Sequence, residues 1–353
     1  MTHKSNTEST QHMLPLILVL CTVWLFACSD IAEKAAMHAM KTCASVIIPS
    51  LFPFMVISSM LVRSGTANSI GRWLAQPVRY LFRLPGCTGG ALILGALCGF
   101  PVGAKIACEL YENGFLTKNE CERLIAIANN TGPSFVIEVV GAHFWHSRGM
   151  GIAIYVSQLL SAALIGWLAS RREQARKVNV PSITARSGFL QCLASSITQS
   201  ARSVLSICGF IAFFAVITSV LRQLLHDWNM DSLSGAVAAV IEFSTGASTA
   251  AEIGGAGGAF LTGLAVGWSG ISVFAQCTLF TAPYNISLRT AAISKAVQGI
   301  LTGLAAAAYY TLRYVPSTAV STPFPFTDVS LSQILIALLI LAVASIQFQR
   351  RNS

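Results

Sequence analysis

Three short stretches place polar or charged side chains inside otherwise apolar sequence, and their chemistry suits binding a solute. The first, "CGFPVGAK" (98–105), ends the run "TGGALILGAL" and brings together Phe100, Pro101, Gly103 and Lys105, with Glu109 four residues beyond the lysine. Pro101 removes an amide donor and obstructs helical hydrogen bonding, while the glycines permit a tight reversal. Lys105 then opens the returning arm. There it can face a solute, neutralise Glu109 as an i,i+4 pair, or do both. The second stretch, "IANNTGPSF", offers Asn129, Asn130 and Thr131 as donors and acceptors. Pro133 suits the first turn of a new helix and Ser134 helps to satisfy its free amides. Such a helix start attracts anionic groups. The alternative is a proline-kinked helix whose asparagines bond to neighbours. The third stretch, "IEFSTGAS" (241–248), sets Glu242, Ser244, Thr245 and Ser248 around Gly246, with Glu252 one turn on. Acids at membrane depth are costly, so Glu138, Glu242 and Glu252 read either as functional groups or as partners of Lys105 or Lys295.

Catalytic and metal chemistry find no such support. No Ser/His/Asp or HExxH arrangement occurs, which leaves an intramembrane enzyme using the buried glutamates as a remote class. The chain reads as a non-enzyme. His143 and His146 flank Trp145 and read as interfacial anchors, and the ten cysteines show no ligand spacing. No metal or cofactor is expected. "GGAGGAF" (254–260) resembles a phosphate loop but lacks its lysine, so it reads as a flexible connector. Trp268 and Phe135 lie beside the polar stretches and read as helix packing or as a platform for an aromatic ligand.

The elements that must position these groups follow from composition. Of 353 residues, 54% are hydrophobic and only 10% charged, and the mean hydropathy is +0.65. Soluble domains carry about 25% charged residues, so the chain is an integral membrane protein of all-α class. Apolar segments lie near 13–28, 43–62, 149–169, 203–221, 291–312 and 331–347, each close to the roughly 20 residues a spanning helix needs. The first reads as an uncleaved span, because bulky Phe26 and the weak basic flank argue against a cleaved leader ending at Cys28. Between the apolar segments lie interrupted ones at 88–112, 121–146, 235–253 and 259–284.

The second half repeats the first. "SQLLSAALIGWLA" (157–169) aligns without gaps to "SKAVQGILTGLAA" (294–306), and "GAKIACEL" (103–110) to "GASTAAEI" (246–253), with Glu109 opposite Glu252. "SVIIPSLF" (45–52) faces "SVLSICGF" (203–210), and "NNTGPSFV" (129–136) faces "VGWSGISV" (266–273). With 88–112 and 235–253 taken as re-entrant hairpins, only Lys34, Lys41, Arg148, Arg222 and Arg313 of the 23 basic residues lie on one side, leaving 18 on the other. The positive-inside rule then puts both termini in the cytoplasm and makes the two repeats inverted. The organisation is an N-terminal helix and loop (1–40), a first repeat (41–170), a basic cytoplasmic linker (171–200), a second, inverted repeat (201–312), and an external loop with a C-terminal helix (313–353). The start of the second repeat, "FLQCLASSITQSARS", reads as lying along the membrane surface. Inverted repeats with interrupted helices are a transporter signature, the site lying where the breaks meet. The +9 net charge is spread in short flanking runs, which excludes a nucleic-acid partner. The partners expected are a small anionic solute and the lipid bilayer, with a homo-oligomer left open.

"PSLFPF" (49–54), "GFPVGAK" (99–105), "NNTGP" (129–133) and "EFSTG" (242–246) resemble the YlbJ-type sporulation integral membrane proteins. That family belongs to the nucleoside-recognition, or Gate, group, whose hairpins resemble those of concentrative nucleoside transporters. The resemblance covers about residues 40–312. It implies a polytopic membrane protein with a role in moving dipicolinate, an aromatic dianion, during spore formation. A nucleoside-type solute, or a non-transporting scaffold for spore assembly, remain the other readings.

Overall fold

A computed structural model describes residues 21–63, 73–174, 188–228 and 233–314, together with residues 15, 19 and 176. Among the described residues the chain is helical, with no strand. Helix α1 (Ser29–Thr42) runs through a π-helical turn (Cys43–Ile47) into α2 (Ile48–Arg63). Then follow α3 (Ala75–Phe82), α4 (Gly89–Cys98), α5 (Val102–Glu112), α6 (Lys118–Ala128), the π-helical α7 (Ser134–Phe144) and α8 (Arg148–Ser170). The second half contributes α9 (Phe189–Asp227), α10 (Ser234–Ile241), α11 (Phe243–Ile253), α12 (Gly255–Trp268), α13 (Gly270–Thr281) and α14 (Arg289–Tyr314). Four stretches are long and apolar enough to cross a membrane: Arg148–Ser170, Phe189–Asp227, Gly255–Tyr284 and Arg289–Arg313. A fifth arises if α3 and Gly86–Cys98, bent by 110° at their junction, count as one span. The chain is an all-α, polytopic membrane protein. The predicted span at 331–347 lies outside the described residues.

The halves run through the same series of elements. Two short helices joined at a break, a broken helix and a long helix occur as α4–α5, α6–α7 and α8, and again as α10–α11, α12–α13 and α14. The short pairs turn back on themselves. A β-carbon at Gly246 would overlap the backbone of Ala239, although the two residues would stand about 10 Å apart along a continuous helix. Likewise β-carbons at Gly95 and Gly103 would both strike the Ala128 carbonyl, which folds α4 and α5 against the same helix end. Arms of 8 to 11 residues reach roughly 17 Å at most, well short of a 30 Å hydrocarbon core. A hairpin, rather than a crossing, is the shape that follows.

Small residues set how closely the long helices approach. Gly263 and Gly267 of α12 lie against Thr302, Gly303 and Gly299 of α14, where any β-carbon would meet backbone. That is the small-xxx-small contact by which apolar helices pack without a hydrophobic driving force. Two predicted details change. "GGAGGAF" is not a loose connector: α12 begins at Gly255, and Gly258 sits directly on the Ala250 carbonyl. "FLQCLASSITQSARS" does not form a separate surface element but runs unbroken into the following span, as one 39-residue helix. No proline or glycine pair interrupts it, so nothing in the sequence turns it, and at about 58 Å it is nearly twice the hydrocarbon thickness.

Candidate functional site

The four breaks converge in pairs. In the first half, the α4–α5 break falls at Gly99–Pro101, where Gly99 takes φ 76°, and a β-carbon there would lie 2.7 Å from the Gly132 amide nitrogen of the α6–α7 break. In the second half the α10–α11 break falls at Glu242, and a β-carbon at Gly270 would lie 2.9 Å from the Phe243 amide nitrogen. The two hairpin tips meet through their aromatic residues. The Phe100 and Phe243 rings pack edge to face with centroids 4.9 Å apart, and Phe135 lies 4.9 Å from Phe243. This is the favoured geometry for aromatic quadrupoles.

Glu242 forms the second tip. Its side chain is fully buried and caps α11: one carboxylate oxygen accepts from the Ser244 amide at 3.1 Å, the other from the Ser244 hydroxyl at 2.6 Å and the Thr245 amide at 2.7 Å. A carboxylate at a helix N-terminus satisfies free amides and meets the positive end of the dipole. The tip therefore lies at Glu242 itself, and Ser244–Gly246 fall in the first turn of α11. Ser248 is half-buried on that helix and Glu252 is exposed near its end.

The first tip has no such acid. Pro101 is the N-cap of α5 and makes no side-chain cap; Pro101 and Gly103 are buried and Phe100 is half-buried. Lys105 Nζ lies 3.7 Å from Glu109 Oε1, with side chains 24% and 44% exposed. The predicted i,i+4 pair is therefore present. Glu138 is paired elsewhere, accepting from Arg148 at 3.1 Å on the protein's periphery.

The Asn129–Pro133 break is where the halves join. Asn129 donates to Cys277 Sγ at 3.2 Å and Thr131 Oγ1 to the Val266 carbonyl at 3.2 Å. Gln158 of α8 clamps Thr131, accepting from its amide and donating to its carbonyl. Asn130 Oδ1 accepts from Lys295 Nζ at 2.8 Å and from Gln298 Nε2 at 2.9 Å, both on α14. Gln298 also accepts from Lys295 at 2.8 Å and donates to the Gln158 carbonyl at 2.9 Å. Pro133 and Ser134 are half-buried at the start of α7. Gln158 and Lys295 occupy equivalent positions in the repeat alignment, so one symmetric site on each long helix reaches the same break.

Gln158 and Gln298 are the residues that sequence reading missed, and Lys295, which the sequence offers as a partner for Glu138, Glu242 or Glu252, bonds to Asn130 and Gln298 instead. Lys295 sits near the start of a predicted span and was counted with the cytoplasmic cations, yet it is only 2% exposed. The available signal was the alignment itself, which sets Lys295 opposite a glutamine inside an apolar helix. Buried polar atoms without a partner gather near the same breaks: Asn129 Oδ1, Ser269 Oγ, Ser272 Oγ and both amide atoms of Gln276. Such groups are costly in a protein interior and mark places where a ligand or water completes the bonding. Trp268 packs instead, donating to the Val240 carbonyl at 2.9 Å with its ring against Phe274.

No protein-family model matches the chain, and no solved structure matches it. The chain is 25% identical to the sporulation integral membrane protein YlbJ of Bacillus subtilis (strain 168), over 89% of this chain and 87% of that protein. The similarity runs through both halves and so takes in every break described above.

Proposed function

We propose that the protein is a membrane transporter for a small anionic solute, of the aromatic dicarboxylate class that includes dipicolinate. The observation that carries this reading is the meeting of two hairpin tips and two helix breaks around buried, unpartnered polar atoms. Broken backbone at membrane depth is tolerated only where protein buries it or where it lines a cavity, and a scaffold has no need of it. Anion preference follows from the charges: Lys105 and Lys295 lie at the tips and breaks, and the starts of α5 and α7 carry no side-chain cap, which leaves the positive ends of their dipoles uncompensated. Gly103, Asn129, Asn130, Thr131, Ser134, Thr245 and Ser248 complete the polar lining. Both termini face the cytoplasm in this reading, as the basic-residue bias requires; reporter fusions at the C-terminus test that orientation.

Uptake of labelled dipicolinate into proteoliposomes, with Lys105→Ala as control, tests the function. Saturable uptake that the variant loses supports it. Absence of flux with dicarboxylates and nucleosides alike sinks it in favour of a spore-assembly scaffold, and flux of nucleosides alone favours a nucleoside-type carrier.

A further inference from the structure

The hydrogen bonding around Lys295 has a property that Lys105 does not share. Its ammonium group lies at the Asn130 break, 2% exposed, and its partners are two neutral carbonyl oxygens, Asn130 Oδ1 and Gln298 Oε1. Among the described residues no carboxylate pairs with it, whereas Lys105 has Glu109. An ammonium has three N–H donors and a neutral amine two, with one lone pair. Two acceptors suit both forms. The network can therefore hold Lys295 charged or neutral without rearrangement, and only the third position changes, from a donor to an acceptor.

The surroundings leave little else to set its charge. Helix α12, packed along α14, has no titratable residue in Gly255–Trp268. Helix α8 presents the neutral Gln158, and its Tyr155 donates to the Ala96 carbonyl. Helix α13 presents the Cys277 thiol, which is bonded to Asn129. On α6, Glu120 is bonded to Arg176, and Arg123 lies 3.7 Å from Glu173. Glu122 accepts from the Ser287 amide, two residues before α14 begins. A lone buried cation is unfavourable and is relieved either by losing its proton or by gaining an anion. The hydrogen-bond count leaves the second route open, since the third N–H of the ammonium has no acceptor among the described residues.

We propose that Lys295 is the proton-carrying anion receptor of this site: it binds a proton from bulk water on its amine lone pair together with a carboxylate of the solute, and gives up both together. The inference rests on the transport reading and adds its coupling: each anion would move with one proton, so an inward proton gradient drives it.

Calorimetry of dipicolinate binding to the detergent-purified protein, in two buffers of different ionisation enthalpy, tests the proposal directly. The expected result is uptake of about one proton per anion bound. Arginine keeps its charge at any working pH, so Lys295→Arg should bind the anion without proton uptake. Lys295→Gln should weaken binding about ten- to a hundredfold, the value of one charge-assisted contact, and abolish proton uptake. If Lys295→Arg fails to fold, as gel filtration and thermal melting would show, Lys295→Gln carries the test. Absence of dipicolinate binding, anion binding without proton uptake in the native protein, or unchanged uptake in Lys295→Gln would each overturn it. Proton-linked binding without flux in proteoliposomes would leave Lys295 in place and defeat the transport reading alone.

Discussion

The two hairpin tips solve one problem by opposite means. Each must stop a helix, reverse, and start another whose first amides have no helical partner. At the first tip the backbone does this: Gly99 adopts φ 76° and Pro101 caps α5 without a side-chain bond. At the second tip a side chain does it, the buried Glu242 carboxylate accepting three hydrogen bonds at the start of α11. One helix start is therefore closed by an anion belonging to the protein and the other is left open. On the proposed function, an anionic solute would meet an uncapped helix start at the first tip and repulsion at the second. Pseudo-symmetric scaffolds can thus carry an asymmetric site.

Mutations should separate the tips, beginning with the largest effect. Gly246→Leu forces a side chain into the Ala239 backbone, where neither hairpin arm can yield. A loss of about 3 kcal/mol or more in unfolding free energy is expected, read by thermal melting in detergent; a melt like that of the native protein would mean that the second hairpin is not folded back. Glu242→Ala removes the cap and should cost about 2–3 kcal/mol. Glu242→Gln keeps two of the three acceptor contacts and should cost less. Equal losses in the two variants would show that charge, rather than hydrogen bonding, holds the tip.

At the open tip the expected effect is on binding. Lys105→Met should leave membrane insertion intact and weaken dipicolinate about ten- to a hundredfold, measured by equilibrium binding. If the variant misfolds while its competent fraction keeps normal affinity, Lys105 serves only to balance Glu109. The smallest effect belongs to the peripheral pair: Arg148→Gln, breaking its contact with Glu138, should change stability by under about 1 kcal/mol and leave binding unaltered. A large change there would place functional charge outside the breaks.

How far the site could be read without coordinates differs from residue to residue. Pro101, Gly99 and the Asn129–Pro133 run were legible because proline and glycine act on their own backbone, and the structure breaks the helices there. Glu242 was legible as an acid in an apolar segment, but its role as a cap depends on α11 beginning at Phe243, a boundary that hydropathy does not resolve. Lys295 was the least legible. A lysine near the end of an apolar segment usually reaches the interface, and only its neighbours show that it does not.

The sequence by itself determined the solvent, the helical class, the order of repeats and the places where helices stop, because each follows from local composition and from backbone chemistry within a few residues. Tertiary structure alone decided which groups meet at the stops. It set Phe100 against Phe243 across 143 positions of sequence and Asn130 against Lys295 across 165, and it buried Lys295 at the break of the other half. Burial depends on residues distant in the chain, and so it cannot be read from local composition.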